Sequence, residues 1–176
     1  TNTEALGVLK MPQLIRKMAV PAAVGYLVMN IYFIADSIFI GKFVGSMGIA
    51  AVSVVMPITF LISAIGMAIG VGGSSLISRF LGADNEVEAN KVFGNMTSLT
   101  IVLSILIMLI GYSFIDEILV LFGAKGAIFE PAKAYFSSLI IGIPFLAWSM
   151  MSNNAMRAEG APKKALMIMI ISALVN

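Results

Sequence analysis

The longest stretch of the chain without a charged side chain covers residues 43–78. A helix needs about 20 consecutive apolar residues to cross the hydrocarbon core of a bilayer, so this stretch exceeds one crossing. Further uncharged runs cover residues 18–35, 92–115 and 134–156, and a fifth begins at residue 165. Because backbone polar groups in lipid must be paired within the segment, runs of this kind fold as helices. The sequence therefore predicts an all-α integral membrane protein.

The composition supports this class and excludes several others. The chain is 60% hydrophobic and 11% charged, whereas soluble domains carry about a quarter charged residues. Its net charge is only +2, and the basic residues lie at the ends of the apolar runs, so nucleic-acid binding has no support. The sequence holds no cysteine and no histidine, which excludes disulfides, thiolate and imidazole metal ligands, and histidine general bases.

The expected architecture is a polytopic bundle of five transmembrane helices. The last helix is expected to be incomplete, because the chain stops at Asn176 inside an apolar run and is interpreted as part of a longer protein. The short apolar run at residues 118–122 is too brief to span and is expected to form a turn or two of interfacial helix. The approximate helix bounds predicted from the runs and their flanking residues are 13–41, 48–79, 91–115, 130–156 and 162–176.

The connections carry recognisable helix start and stop signals. Asp84 or Asn85 is well placed to cap the third helix. Gly160 and Pro162 are expected to end the fourth helix and to start the fifth. The sequence therefore indicates short, ordinary turns between the spans.

The basic residues are distributed unevenly between the two ends of the predicted helices. Short cytoplasmic loops carry an excess of lysine and arginine, so the richer end is expected to be cytoplasmic, together with the N-terminus. The richer end holds Lys10, Arg16, Lys17, Arg79, Lys91, Arg157, Lys163 and Lys164, and the poorer end holds Lys42, Lys125 and Lys133.

One carboxylate, Asp36, interrupts the first predicted helix. Tyr32 precedes it by four residues and therefore lies on the same helix face, where its hydroxyl could donate to the carboxylate. An acid inside a membrane is a functional candidate by default, because it is costly to keep there. Such a group could bind and release a proton or pair with a cation. The alternative is an aspartate near a helix end that only reaches interfacial water.

Glycines and prolines in the spans indicate close packing and bending. Gly66 and Gly70 form a small-xxx-small face suited to close helix contact. The glycine-rich segment around them has no preceding strand and no Gly-Lys-Ser/Thr, so a phosphate-binding loop is not favoured. Pro21, Pro57 and Pro144 each remove a backbone donor and permit a kink. The amides of the fourth helix, Asn153 and Asn154, either bond to a neighbouring helix or contact a ligand.

The order of these features resembles the multidrug and toxic compound extrusion (MATE) transporters. Three pieces carry the resemblance: residues 16–54, with Pro21, the stretch from Asn30 to Asp36 and the Gly-x-x-Ala-x-x-Val start of the second helix; GVGGSSLISRFLGADNEVEAN; and MRAEGAPKKAL. The terminal LVN is similar to the beginning of the family's fifth-helix motif. Together the pieces cover nearly all of the chain, and they resemble the prokaryotic DinF-like and NorM-like branches.

The resemblance implies a fold and a function. MATE proteins have twelve helices in two six-helix lobes, and this chain would be the N-terminal lobe through part of its fifth helix. They export amphiphilic organic cations in exchange for protons or sodium ions, so the expected partners are the prokaryotic plasma membrane, such substrates and a second lobe. No cofactor is expected beyond the coupling ion. Carried over by position, Asp36 would couple the cation, with Tyr32, Asn153 and Asn176 as neighbours.

Other functions remain as alternatives. A flippase for lipid-linked oligosaccharides, from the same superfamily, would be expected to line its cavity with basic residues, yet no lysine or arginine lies inside the predicted spans. An intramembrane aspartyl protease needs two facing carboxylates, and the spans show one. A non-transporting membrane scaffold would leave Asp36 unexplained.

Overall fold

This computed structural model describes residues 10–175, which form a series of consecutive helices. Seven α-helices, a 3-10 turn at Gly126–Ile128 and no strand occur in that range. The α-helices are α1 Met11–Phe43, α2 Ser46–Gly82, α3 Glu86–Ser113, α4 Ile115–Leu121, α5 Phe129–Ile141, α6 Ile143–Ala158 and α7 Pro162–Val175. The architecture is all-α, as the sequence predicts.

Within residues 10–175, three helices are long and apolar enough to cross a bilayer, namely α1, α2 and α3. The pair formed by α5 and α6 passes the same test when it is taken as one bent span. Large apolar side chains along α1 are exposed, among them Ile31 at 66% and Ile38 at 63%. An exposed surface of this kind is compatible with lipid and not with water.

The prediction of one continuous helix over residues 130–156 is wrong. The chain breaks at Gly142 into α5 and α6, whose axes differ in direction by 54°. Pro144 in the first turn of α6 has no N–H to donate to the carbonyl four residues earlier, and its ring would crowd that carbonyl. Accordingly α5 closes with a tighter bond, from the Gly142 N–H to the Leu139 carbonyl at 2.9 Å. The kink that Pro144 was predicted to permit is therefore present, and it lies at Gly142.

The remaining helix ends agree with the local signals. The Asn85 side chain accepts a hydrogen bond from the Glu88 N–H at 3.1 Å and caps α3. Gly160 adopts a φ of +74° between α6 and α7, a conformation that glycine reaches without a Cβ penalty. Pro162 is the first residue of α7. α1 continues through Pro21 as a single helix.

The helix α2 lies at the centre of the bundle and joins two buried clusters. The first half of α2 packs on α4 and α5 in a cluster of Ala51, Val55, Ile58, Ile62, Leu119, Ala124, Ala132, Phe136, Ile140 and Ile143. Its second half packs on α3 and α6 in a cluster of Ile77, Ala89, Met96, Met151, Ala155 and Ala158. The broken span is therefore held against α2 on both sides of its bend.

The predicted packing face of Gly66 and Gly70 is confirmed. A Cβ added to Gly66 would stand 3.2 Å from the Ala147 Cα, and one added to Gly70 would stand 3.2 Å from the Met151 Cα. The contact moves from Gly66 to Gly70 in α2 as it moves from Ala147 to Met151 in α6, so the two helices run parallel. The absence of side chains at these two positions lets the helix backbones approach closely.

The helix α1 pairs mainly with α7. A Cβ on buried Gly25 would meet the Met169 sulfur at 2.9 Å and the Leu166 side chain at 3.5 Å. Gly25 is the one buried residue of α1 among residues 10–175. This pair stands beside the α2–α3–α6 unit.

Candidate functional site

Asp36 and Tyr32 lie on one face of the unbroken helix α1 and are both half-buried. Asp36 is seven residues before the end of α1, about 10 Å of helix from Phe43. The carboxylate is therefore placed toward one end of the span, away from the bilayer midplane.

A third polar side chain, Tyr135 of α5, completes this group. Tyr135 interacts electrostatically with both Asp36 and Tyr32, and its side chain is half-buried. Asp36 therefore has one phenol four residues away on its own helix and an electrostatic neighbour, Tyr135, on a different helix. We call Tyr32, Asp36 and Tyr135 the carboxylate cluster.

Sequence reasoning did not identify Tyr135. Its only local signal is a tyrosine near the start of an apolar run, which is also typical of residues at the membrane interface. The approach of α5 to α1 depends on how the broken span packs against α2, and no local pattern encodes that packing.

The two asparagines of α6 point to different neighbours. The Asn153 amide donates to the Ala165 carbonyl of α7 at 3.3 Å. The Asn154 amide donates to the Met150 carbonyl of its own helix at 2.9 Å and lies against Gly70 of α2. Both interact with neighbouring protein groups in this structure, and Asn153 is the one directed toward α7.

Asp36 and Asn153 stand at different depths. The side chain of Arg157 in α6 reaches α1, where its guanidinium lies 5.7 Å from the ring centre of Tyr26. This contact gives a reference depth that the two helices share. Asp36 follows Tyr26 by about 15 Å of helix, whereas Asn153 is about 6 Å above Arg157 on the antiparallel α6. Asp36 is therefore further from this level than Asn153 is.

The other predicted site residues are placed as follows. Asn176 lies outside the described residues, so its position relative to Asp36 stays a prediction. Pro21 is inside α1 and half-buried, fifteen residues before Asp36. The kink predicted at Pro21 also stays a prediction.

Asn153 additionally lines a groove of about 470 Å³ between α3, α6 and α7. Its wall is mainly apolar and aromatic, with Phe93 and Trp148, while Ser149, Ser152 and Glu159 supply polar groups. This is the combination expected for a ligand that is largely apolar and carries one cationic group.

The carboxylate cluster is the candidate site for one small cation. Its carboxylate is a proton acceptor, or an oxygen ligand for a monovalent metal ion. Across residues 10–175, no group of three or more acidic side chains could hold a metal ion.

Comparison with known proteins gives a consistent result. A profile of the MatE family matches residues 21–176. A FAD transporter of Shewanella oneidensis is 28% identical over 172 residues, which is 97% of this chain and 38% of that protein. A multidrug export protein, MepA, of Staphylococcus saprophyticus is 29% identical over 158 residues, covering 90% of this chain and 35% of that protein.

Solved structures give the same picture. The MATE multidrug transporter DinF-BH superimposes with a TM-score of 0.91 at 35% identity, over 99% of this chain and 39% of that one. A MOP superfamily transporter from Pyrococcus furiosus superimposes with a TM-score of 0.91 at 28% identity, over 98% of this chain and 38% of that one. The chain therefore spans well under half the length of these relatives.

Proposed function

Because the chain belongs to the MATE family of integral membrane proteins, we propose that it forms the N-terminal lobe of a cation-coupled antiporter. This antiporter would export amphiphilic organic cations by alternating access. The single observation that carries the proposal is an acid, Asp36, on a helix long and apolar enough to span a membrane, with Tyr32 on the same helix face. The multidrug export relatives support the substrate class.

The proposed mechanism uses Asp36 as the group that exchanges a cation. In the outward-open state, Asp36 takes up a proton or a sodium ion. Neutralising the carboxylate removes a costly charge from the membrane and allows α1 to shift, with Pro21 as the position of bending. The shift lowers the affinity of the lobe for substrate, which is released outward.

A second six-helix lobe would complete the transporter. The relatives are more than twice as long as this chain, which leaves room for another lobe of similar size. Within residues 10–175, α1 buries only Gly25 and keeps most of its surface open. A transport pathway between two lobes would make use of that open surface.

We also propose that the N-terminus is cytoplasmic in a prokaryotic plasma membrane. The contact of Arg157 with Tyr26, and the closeness of Lys163 to Arg16 and Lys17, bring basic residues of α1, α6 and α7 to one end of the bundle. Lys133 and its ion pair with Asp116, at 2.7 Å, belong to the predicted opposite end. The excess of positive charge at the first end supports this orientation.

The test is dye efflux by the full-length transporter in proteoliposomes. A proton gradient and a sodium gradient are imposed separately, and export of a fluorescent organic cation is measured for wild type, Asp36→Asn and Asp84→Asn. Asp84→Asn is the control, because it makes the same substitution at an exposed loop residue outside the predicted spans. Asp84 has a φ of +54°, a conformation that asparagine also adopts readily.

We expect Asp36→Asn to abolish gradient-driven efflux and Asp84→Asn to retain it. The gradient that drives wild-type efflux identifies the coupling ion. If Asp36→Asn exports the dye at the wild-type rate under the same gradient, the mechanism is wrong. If neither gradient drives export by the wild type, the antiporter proposal itself fails.

A further inference from the structure

Three basic side chains line a cleft between the first turns of α1 and the start of α7. Arg16 and Lys17 come from α1 and Lys163 from α7, with Gln13 beside them. The cleft has a volume of about 670 Å³, within the usual range for sites that bind small molecules. We call it the basic cleft.

The charges of the basic cleft are not compensated by the described residues around it. No carboxylate is among the residues of 10–175 that line the cleft. The ion pairs described in that range involve Lys91 and Lys133, which are elsewhere. Three positive groups facing one cleft repel one another unless an anion lies between them. The planar guanidinium of Arg16 is suited to phosphate, which it can bind with two hydrogen bonds.

The basic cleft lies at the level of the lipid head groups. Arg16 and Lys17 directly precede the uncharged run that begins at residue 18, and Lys163 precedes the apolar run of α7. The 33 residues of α1 extend about 50 Å, whereas the hydrocarbon core is about 30 Å thick. The first turns of α1 therefore project out of the hydrocarbon.

We propose that the basic cleft binds the phosphate group of an anionic phospholipid. The wall next to the cations is apolar, with Val20, 52% exposed, and half-buried Pro21. A lipid can place its phosphate on the three cations and its glycerol and acyl groups along this wall. A soluble phosphate would use the cations and leave the apolar wall in water. Basic pockets between membrane helices are a known type of site for anionic head groups.

The experiment measures binding of dioctanoylphosphatidylglycerol to the full-length transporter in neutral detergent, by microscale thermophoresis. The cleft variant is Arg16→Gln with Lys163→Gln. The control variant is Lys10→Gln with Lys164→Gln, which removes two charges from the same end at exposed residues that do not line the cleft. Elution of all proteins as single species in size-exclusion chromatography establishes that they are folded.

We expect the cleft variant to bind the lipid about 25-fold more weakly than wild type, since each basic group near a lipid surface contributes about fivefold. The control variant should change the affinity less than about threefold, because its charges act only through the general field. Equal losses in the two variants would overturn the proposal, since they would show a non-specific attraction.

Two further ligands separate a lipid from a soluble phosphate. Inorganic phosphate in hundredfold excess should leave lipid binding unchanged, and dioctanoylglycerol, which has no phosphate, should not bind the cleft. If inorganic phosphate displaces the lipid at equal concentration, the cleft is a site for soluble phosphates and the lipid assignment is wrong. If dioctanoylglycerol binds as tightly as the phospholipid, the phosphate is not what the cleft recognises.

Discussion

The contact between α2 and α6 gives a quantitative prediction for Gly66→Ala. A methyl group at Gly66 would stand 3.2 Å from the Cα and 3.3 Å from the carbonyl oxygen of Ala147. Both are backbone atoms of another helix, so no side chain can swing away. Relief requires a shift of α6 by a few tenths of an ångström along the interface that joins it to α2.

The magnitude follows from two opposing effects. Inserting a methyl group into a well-packed contact costs about 1–3 kcal/mol. Replacing a glycine inside a helix by alanine returns up to about 1 kcal/mol. Gly66→Ala should therefore lower the free energy of unfolding by up to about 2.5 kcal/mol.

Gly72→Ala is the matched control in the same helix. A Cβ at Gly72 meets nothing within 4 Å in the described structure, so only the favourable helix effect remains. We expect Gly72→Ala to raise stability by about 0.5–1 kcal/mol. The two alanine variants should thus differ by about 1–3 kcal/mol, with Gly72→Ala the more stable.

The assay is thermal unfolding of the full-length transporter in detergent, followed by the loss of monodisperse protein in fluorescence-detected size-exclusion chromatography. The order of midpoint temperatures should be Gly72→Ala at or above wild type and Gly66→Ala below it. If Gly66→Ala unfolds at the same temperature as Gly72→Ala or higher, the close approach of α2 and α6 at this position is refuted.

Three further predictions test other contacts. Tyr135→Phe should slow gradient-driven dye efflux several-fold, because it removes a hydroxyl from the carboxylate cluster. The control Tyr112→Phe, at a side chain that is 65% exposed on α3, should leave the efflux rate unchanged. Equal efflux rates for the two variants would argue against a role for Tyr135. Asn153→Ala removes the bond to the Ala165 carbonyl and should lower stability by about 0.5–1.5 kcal/mol in the same unfolding assay; an unchanged midpoint would contradict that value. Asn85→Ala removes the cap of α3 and should cost about 1 kcal/mol, visible as a lower midpoint than wild type.

Much of the helical framework could be predicted from local sequence. The lengths of the uncharged runs predicted where the helices lie, since a membrane helix must be apolar along its whole crossing. The cap at Asn85 and the start of α7 at Pro162 depend on neighbouring residues in the chain, so local patterns were sufficient for them. The break at Gly142 was predicted only as a kink that Pro144 permits within one helix, because hydropathy does not change across it.

The candidate site was predicted only in part. Asp36 and Tyr32 could be paired because a helix sets their spacing along one chain segment. Tyr135 could not be added to them, because α1 is apolar around most of its circumference and carries no stripe that identifies its neighbours. The directions of Asn153 toward α7 and of Asn154 toward α2 likewise depend on the rotation of α6.

Hydropathy and charge along the chain were sufficient for the class of the protein, the order of its spans and the presence of one acid among them, because burying charge and unpaired backbone in lipid is costly wherever it occurs. Which helices meet was visible only in the folded protein. It made Tyr135 of α5 an electrostatic neighbour of Asp36 and gathered Arg16, Lys17 and Lys163 around one cleft. Helix pairing depends on close packing between surfaces that are all apolar, and hydropathy does not distinguish those surfaces.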